Sequence, residues 1–248
     1  MRVTVLGKSP SWQDAGGACS GYLVEEDGHR LVLDCGNGVF GKLRAFTDYG
    51  SVEAVVLSHL HADHFLDLVP FSYALTYSPR KREGAPRPVL HAPPGAGDIF
   101  RRVVGAWGNE DLIEKAFELR EYDGVEELAV GPLKIRFGQV AHFVQTFAVE
   151  LRGAGGRFVF GADTGPSDGL VEFANGADVL MVEATLTEPD EGHLTAAQAG
   201  EHAARAGVGR LVLTHRTDEL DPASALEEAG STFAGPIEVA HEGATYDV

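Results

Sequence analysis

"SHLHADHF", residues 58–65, sets three histidines and an aspartate within six positions of a chain that has only ten histidines. It follows "VEAVVL" (52–57), a short apolar run that reads as a buried strand. His59 and His61 stand at i, i+2, so an extended segment projects both to one side. Asp63 and His64 then open a helical-looking continuation and turn toward a neighbouring point. Neutral imidazoles and carboxylates are the ligands zinc prefers, and they also suit manganese or iron. Four ligands so close in sequence crowd a single ion, whereas two ions a few ångströms apart can share them.

Such a site needs partners from elsewhere in the chain, and three positions offer them in matching contexts. His142 ends the strand-like "GQVAH", Asp163 ends "RFVFGAD" and His215 ends "RLVLTH". A polar residue placed after each of several apolar strands is the pattern expected when strand ends converge on a site.

The rest of the sequence supplies the frame. The 248 residues, 44% apolar with 31 glycines, suffice for one α/β domain over 1–248 with a sizeable core. The first sixty residues read as strands ("RVTVL", "GYLVEE", "HRLVLD", "VEAVVL"), with "DGH" as a hairpin turn. "FLDLVPFSYALTY" reads as a helix stopping before Pro79, and further helices are expected near 98–106 and 109–119. Strands resume with "VEELAV", "PLKIRFG", "VQTFAVEL" and "RFVFGAD". A short helix over "SDGLVEFAN" and the buried strand "ADVLMVEA" follow. The next helix, "TAAQAGEHAARAG", carries a capping box at Thr195 and Gln198 and a stop at Gly207. "RLVLTH" reads as the last core strand. Two strand-rich halves, each followed by helices, suggest two sheets packed together with helices outside.

Composition also excludes some functions. A formal charge of −17 disfavours gripping a long polyanion, which needs a basic face. The one basic concentration, Arg80, Lys81, Arg82 and Arg87 with Arg101 and Arg102 beyond, reads as a solvated surface or as an attractor for a small anion. No apolar run has the length of a membrane span, and "MRVTVL" lacks a signal peptide's apolar core, so a cytoplasmic protein is expected. Cys19 and Cys35 do not make a disulfide framework and read as reduced thiols.

"SHLHADH" with His142, the "GADTGP" aspartate and the "LTH" histidine resembles the metallo-β-lactamase superfamily over nearly the whole chain. That resemblance implies an α/β fold, an αββα sandwich of two mixed β-sheets packed face to face with helices outside. It also implies two divalent metal ions, zinc by preference with manganese or iron as alternatives. One would take His59, His61 and His142, the other Asp63, His64 and His215, with Asp163 bridging. "GADTGPSDGLVEFANGADVLMVEAT" and "HLTAAQAGEHAARAGVGRLVLTH" are similar to the ribonuclease Z-like branch. There a Glu–His pair, matched here by Glu183 and His193, serves proton donation to the leaving oxygen. Asp63 would be both a ligand and an acceptor orienting a metal-bridged hydroxide for attack on phosphorus.

Ribonuclease Z carries a tRNA-clamping arm between the third histidine and the bridging aspartate. Here only "FVQTFAVELRGAGGRFVFGA" joins His142 to Asp163, which leaves no room for one. In layout the chain looks most like bacterial cyclic-nucleotide phosphodiesterases of this superfamily, implying a small phosphodiester substrate such as 3′,5′-cAMP. Alternatives are a tRNA 3′ endonuclease, a hydrolase of lactams, thioesters or phosphoribosyl cyclic phosphate, or a non-catalytic metal-binding regulator. Relatives are often dimers, so a homodimer through helices near 66–78 is expected.

Other residues carry less. His29, His91, His202 and His241 read as surface or loop histidines. Asp34 reads either as a carboxylate behind a metal-bound histidine or as part of a turn with Gly36 and Gly38. Trp12 and Trp107 read as rim or core packing, with base stacking as the alternative.

Overall fold

The computed structural model describes residues 1–79 and 86–248. Among these residues the strands form two seven-stranded mixed sheets. The first contains β1 (Arg2–Gly7), β2 (Gly21–Glu26), β3 (His29–Cys35), β4 (Ala54–Val56), β5 (Val89–Ala92) and β6 (Glu118–Glu121) in that order, with β14 (Thr245–Asp247) outside β1. β1, β2 and β3 pair antiparallel, and β3 through β6 pair parallel.

The second sheet repeats the plan. It runs through β7 (Leu128–Val130), β8 (Leu133–Val140), β9 (Thr146–Arg152), β10 (Arg157–Phe160), β11 (Val179–Glu183), β12 (Leu211–Thr214) and β13 (Ile237–Val239). β7 to β10 are antiparallel and β10 to β13 parallel. The turn between β2 and β3 puts Asp27 and Gly28 at φ 48° and 87°, the left-handed pair a tight hairpin requires.

Three apolar layers hold the sheets and helices together. Val5, Tyr22, Leu33 and Val56 of the first sheet meet Phe137, Val149, Phe160 and Met181 of the second in a shared core. Outside the first sheet pack α1 (Val39–Phe46), α3 (Leu68–Tyr77), α4 (Ala96–Gly105) and α5 (Leu112–Ala116). Outside the second pack α6 (Asp168–Phe173), α7 (Ala196–Ala206) and α8 (Pro222–Gly230). This is the αββα sandwich. The capping box at Thr195 and Gln198 is present, and Gly207 closes α7 at φ 62°. No helix among the described residues is long and apolar enough to cross a membrane.

Several sequence expectations need correction. The helix expected near 109–119 covers only Leu112–Ala116, and Glu118–Glu121 is instead the edge strand β6. It pairs with the free side of β5, so sheet pairing overrides a locally helical pattern. "RLVLTH" is not the last strand, because β13 extends the second sheet and β14 returns to the first.

Two of the four remaining histidines are buried rather than exposed. His91 sits in β5, and His202 packs in α7, its Nε2 accepting from the Ser167 amide at 3.0 Å. Of the basic stretch, Arg80, Lys81 and Arg82 lie outside the described residues. Arg87 donates to the Glu114 carbonyl and Arg101 pairs with the Glu114 side chain at 2.8 Å, so both are engaged by α5.

Candidate metal centre

β3, β4, β8, β10, β11 and β12 all end at one edge of the sandwich, and at or just beyond these ends stand Asp34, His59, His142, Asp163, Glu183 and His215. The backbone makes the turn at a cost. Asp34, Ala162 and His215 hold φ values of 55°, 55° and 54°, the left-handed region that β-carbons disfavour by about 1–2 kcal/mol each. Gly36 allows a close approach: a β-carbon there would lie 1.8 Å from the Asp63 carbonyl oxygen. α2 (Ala62–Phe65), which carries Asp63 and His64, thus starts directly against the end of β3.

Two groups of four ligand atoms result, each spanning no more than 4.8 Å, His59, His61, His142 and Asp163 in one and Asp63, His64, Asp163 and His215 in the other, and Glu183, His193 and His215 make a third, smaller group beside them. Asp163 belongs to both. Its Oδ2 lies 3.9 Å from His59 Nε2 and 3.4 Å from His215 Nε2, while its Oδ1 lies 3.3 Å from His64 Nε2. The His142 and His61 ring nitrogens are 3.2 Å apart.

The donor set fits divalent cations. His59 Nε2, His64 Nε2 and Asp163 Oδ1 are buried without a hydrogen-bond partner, which is costly unless something else binds them. Burial pushes the His59, His61 and His142 imidazoles below their ordinary pKa, which keeps them neutral and ready to ligate. Burial would raise the Asp63 and Asp163 carboxyls, but the neighbouring His215 and His64 hold both well below the usual range. Burial would lower the His64 imidazole too, but the Asp163 and Asp34 carboxylates outweigh it and raise it well above its ordinary pKa, so the buried carboxylates call for positive charge beside them, which divalent cations supply.

Behind this layer a second set of hydrogen bonds fixes the rings of His59, His64, His142 and His215. Asp34, fully buried, accepts from the Ser58 amide (2.7 Å), the Ser58 hydroxyl (2.8 Å) and His64 Nδ1 (2.7 Å). The Ser58 hydroxyl also lies 3.0 Å from His59 Nδ1, so Asp34 supports one ligand of each group. The Gly192 carbonyl accepts from His142 Nδ1 at 2.7 Å. The Thr185 hydroxyl sits 2.9 Å from His215 Nδ1 and donates to Glu183 Oε2 at 2.6 Å. The alternatives for Asp34 are thereby resolved: it backs the histidines and also makes the turn.

Glu183, ending β11, is the hub of the remaining side. Its Oε1 accepts from the Thr164 amide at 2.7 Å and from His193 Nδ1 at 2.8 Å. The His193 ring is therefore oriented through Nδ1, with Nε2 turned away from Glu183, 4.9 Å centre to centre from the His142 ring and 5.9 Å from that of His215. Burial would lower the His193 pKa, but the Glu183 hydrogen bond and charge outweigh it and raise it.

All nine site residues expected from the sequence thus meet at one edge. Ser58 and Thr185 are not among the residues expected from the sequence, although they stand within "SHLHADHF" and "VEAT". Their signal was spacing, since each hydroxyl lies one or two residues from a ligand or from Glu183. Trp12 and Trp107 are both exposed.

Fold and site together define a metal-dependent hydrolase. The chain belongs to the metallo-β-lactamase superfamily, with residues 29–216 matching the β-lactamase superfamily domain. It is 36% identical to the uncharacterized protein ML1173 of Mycobacterium leprae, over all of this chain and 89% of that one. It is 28% identical to the probable metallo-hydrolase YhfI of Bacillus subtilis, with both chains fully covered. The crystal structure of YhfI superposes with a TM-score of 0.89 over 99% of this chain and 98% of the other. A ribonuclease Z of Halorubrum lacusprofundi is 27% identical over all of this chain and 97% of its own, in keeping with the ribonuclease Z-like branch.

Proposed function

We propose that this protein is a dinuclear phosphodiesterase acting on a small phosphodiester, a 3′,5′-cyclic nucleotide such as cAMP. The observation that carries this is the hydrogen-bonded Glu183–His193 pair beside both ligand groups. It offers a proton donor for an alkoxide leaving group, which a β-lactamase or thioesterase has less use for.

Small substrates are favoured by the connection from His142 to Asp163. It is only β9, a turn closed by Gly153 N–H to the Gly156 carbonyl at 3.1 Å, and β10. The match to ribonuclease Z spans 307 aligned positions, so at least 59 of them (307 minus 248) have no counterpart in this chain. The net charge of −17 likewise disfavours tRNA.

His59, His61 and His142 would hold one divalent cation, Asp63, His64 and His215 the other, and Asp163 both. Zinc is the first choice for such a set. Bound cations supply Lewis-acid stabilisation of the phosphoryl charge and acidify water. Asp63 accepts a hydrogen bond from the attacking water and orients it in line. The water oxygen bonds to phosphorus and releases one proton to solvent, the bond from phosphorus to the 3′ oxygen breaks, His193 Nε2 passes its proton to that oxygen, and the product is the 5′-monophosphate. Glu183 keeps the ring in the required tautomer, and Thr185 fixes His215. Residues 1–248 act as one domain, a homodimer joined through α3 in the cytoplasm, where the buried, unpaired Cys19 and Cys35 suit a reducing compartment.

A second possibility, tRNA 3′ processing, draws support from the ribonuclease Z relative. The test is turnover of 3′,5′-cAMP and of a 3′-extended precursor tRNA by metal-loaded protein, with Asp63→Ala as blank. Cyclic-nucleotide turnover lost in the variant supports the proposal. Cleavage of tRNA alone overturns it.

A further inference from the structure

Phe143 is a large apolar side chain left 67% exposed directly beside the candidate centre. It follows His142 in sequence, and its ring lies 5.1 Å from the His142 ring and 6.0 Å from that of His193. Its underside rests on Gly192, where a β-carbon would come within 2.1 Å of the Phe143 ring. Gly192 is itself tied to His142 through its carbonyl, so the surface under the ring is fixed. Val144 beside it is also part-exposed. The result is an aromatic face supported on one side, open on the other and next to the proton donor.

We propose that Phe143 is the platform on which the substrate's nucleobase stacks. This rests on the small-diester function above. His193 serves the leaving oxygen, so the group that carries that oxygen must lie on the Phe143 side. In a cyclic nucleotide the leaving oxygen belongs to the ribose that bears the base. Phenylalanine offers a π-face and no hydrogen bond, so the platform accepts any base and favours purines for their larger stacking area. Cyclic AMP and cyclic GMP are therefore both substrates, ahead of cyclic CMP.

The test compares the metal-loaded parent, Phe143→Ala and Phe143→Trp on 3′,5′-cAMP and on the base-free 1-O-methylribose 3′,5′-cyclic phosphate. Removing one base–aromatic stack should raise KM for cAMP about 5- to 100-fold in Phe143→Ala, with kcat nearly kept. The base-free substrate should not notice the change, and Phe143→Trp should retain the parent's KM. Independently of turnover, 5′-AMP should quench the added tryptophan of Phe143→Trp relative to the parent, and ribose 5-phosphate should not.

Equal effects on the two cyclic substrates, or no effect on either, overturn the platform. So does a change in oligomeric mass with the cAMP preference intact. If the parent turns over neither substrate, the proposed function fails, and the tryptophan probe still decides the platform. Quenching by 5′-AMP alone upholds it, and no quenching overturns it.

Discussion

Asp34→Asn should weaken both metal positions at once, although Asp34 is not itself among the candidate ligands. The Oδ2 of Asp34 accepts from the Ser58 hydroxyl and His64 Nδ1, and its Oδ1 accepts from the Ser58 amide. An asparagine whose carbonyl replaces Oδ2 keeps two of these bonds and turns its NH2 toward the Ser58 N–H. The Ser58 N–H and the new NH2 are then both buried donors without an acceptor, each costing about 1–3 kcal/mol of stability. Asparagine tolerates the left-handed φ of 55°, so no backbone strain is added.

The lost charge acts on the ligands. His64 loses the carboxylate charge behind its Nδ1, and the Ser58 hydroxyl that faces His59 is left with a neutral acceptor in place of a charged one. Removing such a partner typically lowers metal affinity about 10- to 100-fold. Competition of apo-protein against a chromophoric chelator for Zn2+ measures this for each equivalent. Ser58→Ala serves as the contrast, since it should weaken the His59 group more than the His64 group. Two equivalents bound by folded Asp34→Asn as tightly as by the parent would refute the reasoning.

Gly36→Ala places a methyl 1.8 Å from the Asp63 carbonyl oxygen. The segment bearing Asp63 and His64 must then shift, with an expected loss of about 1–3 kcal/mol in denaturant unfolding and weakened metal binding. Retention of both would contradict the close approach. His91, buried in β5 with Arg120 and Glu118 beside it, has its pKa lowered to about 4, first by burial and then by the Arg120 charge. The folded state therefore holds His91 neutral while the unfolded chain protonates near pH 6.5. Stability from this residue is complete above that pH and is lost as pH falls toward 4, by about 1–2 kcal/mol once solvent screening is allowed for. His91→Leu should flatten that part of the urea-midpoint profile, and an unchanged acid slope would refute the assignment.

The candidate ligands were legible because their chemistry demands residue types that are rare elsewhere. HxHxDH after a strand, and single polar residues after three further strands, point to residues that the fold brings to one edge. Strands and helices were legible where periodicity agrees with turn or cap chemistry, as at the Asp27–Gly28 hairpin and the Thr195–Gln198 box of α7. What escaped depends on neighbours distant in sequence. β6 is a strand because β5 offers it a free side, and β14 because β1 does. His202 is buried because its ring takes up the Ser167 amide across from α7. The left-handed turns at Asp34, Ala162 and His215 have no glycine to announce them. Nothing in the sequence singles out Phe143, because its seat is Gly192, from a segment distant in the chain.

Titrating apo-protein with Zn2+ while following 3′,5′-cAMP turnover tests the paired centre most directly. Two equivalents should bind per chain, with turnover rising only as the second fills, because the two ligand groups share Asp163. Saturation of both binding and turnover at one equivalent, or full loading with no turnover of the cyclic diester, would contradict it.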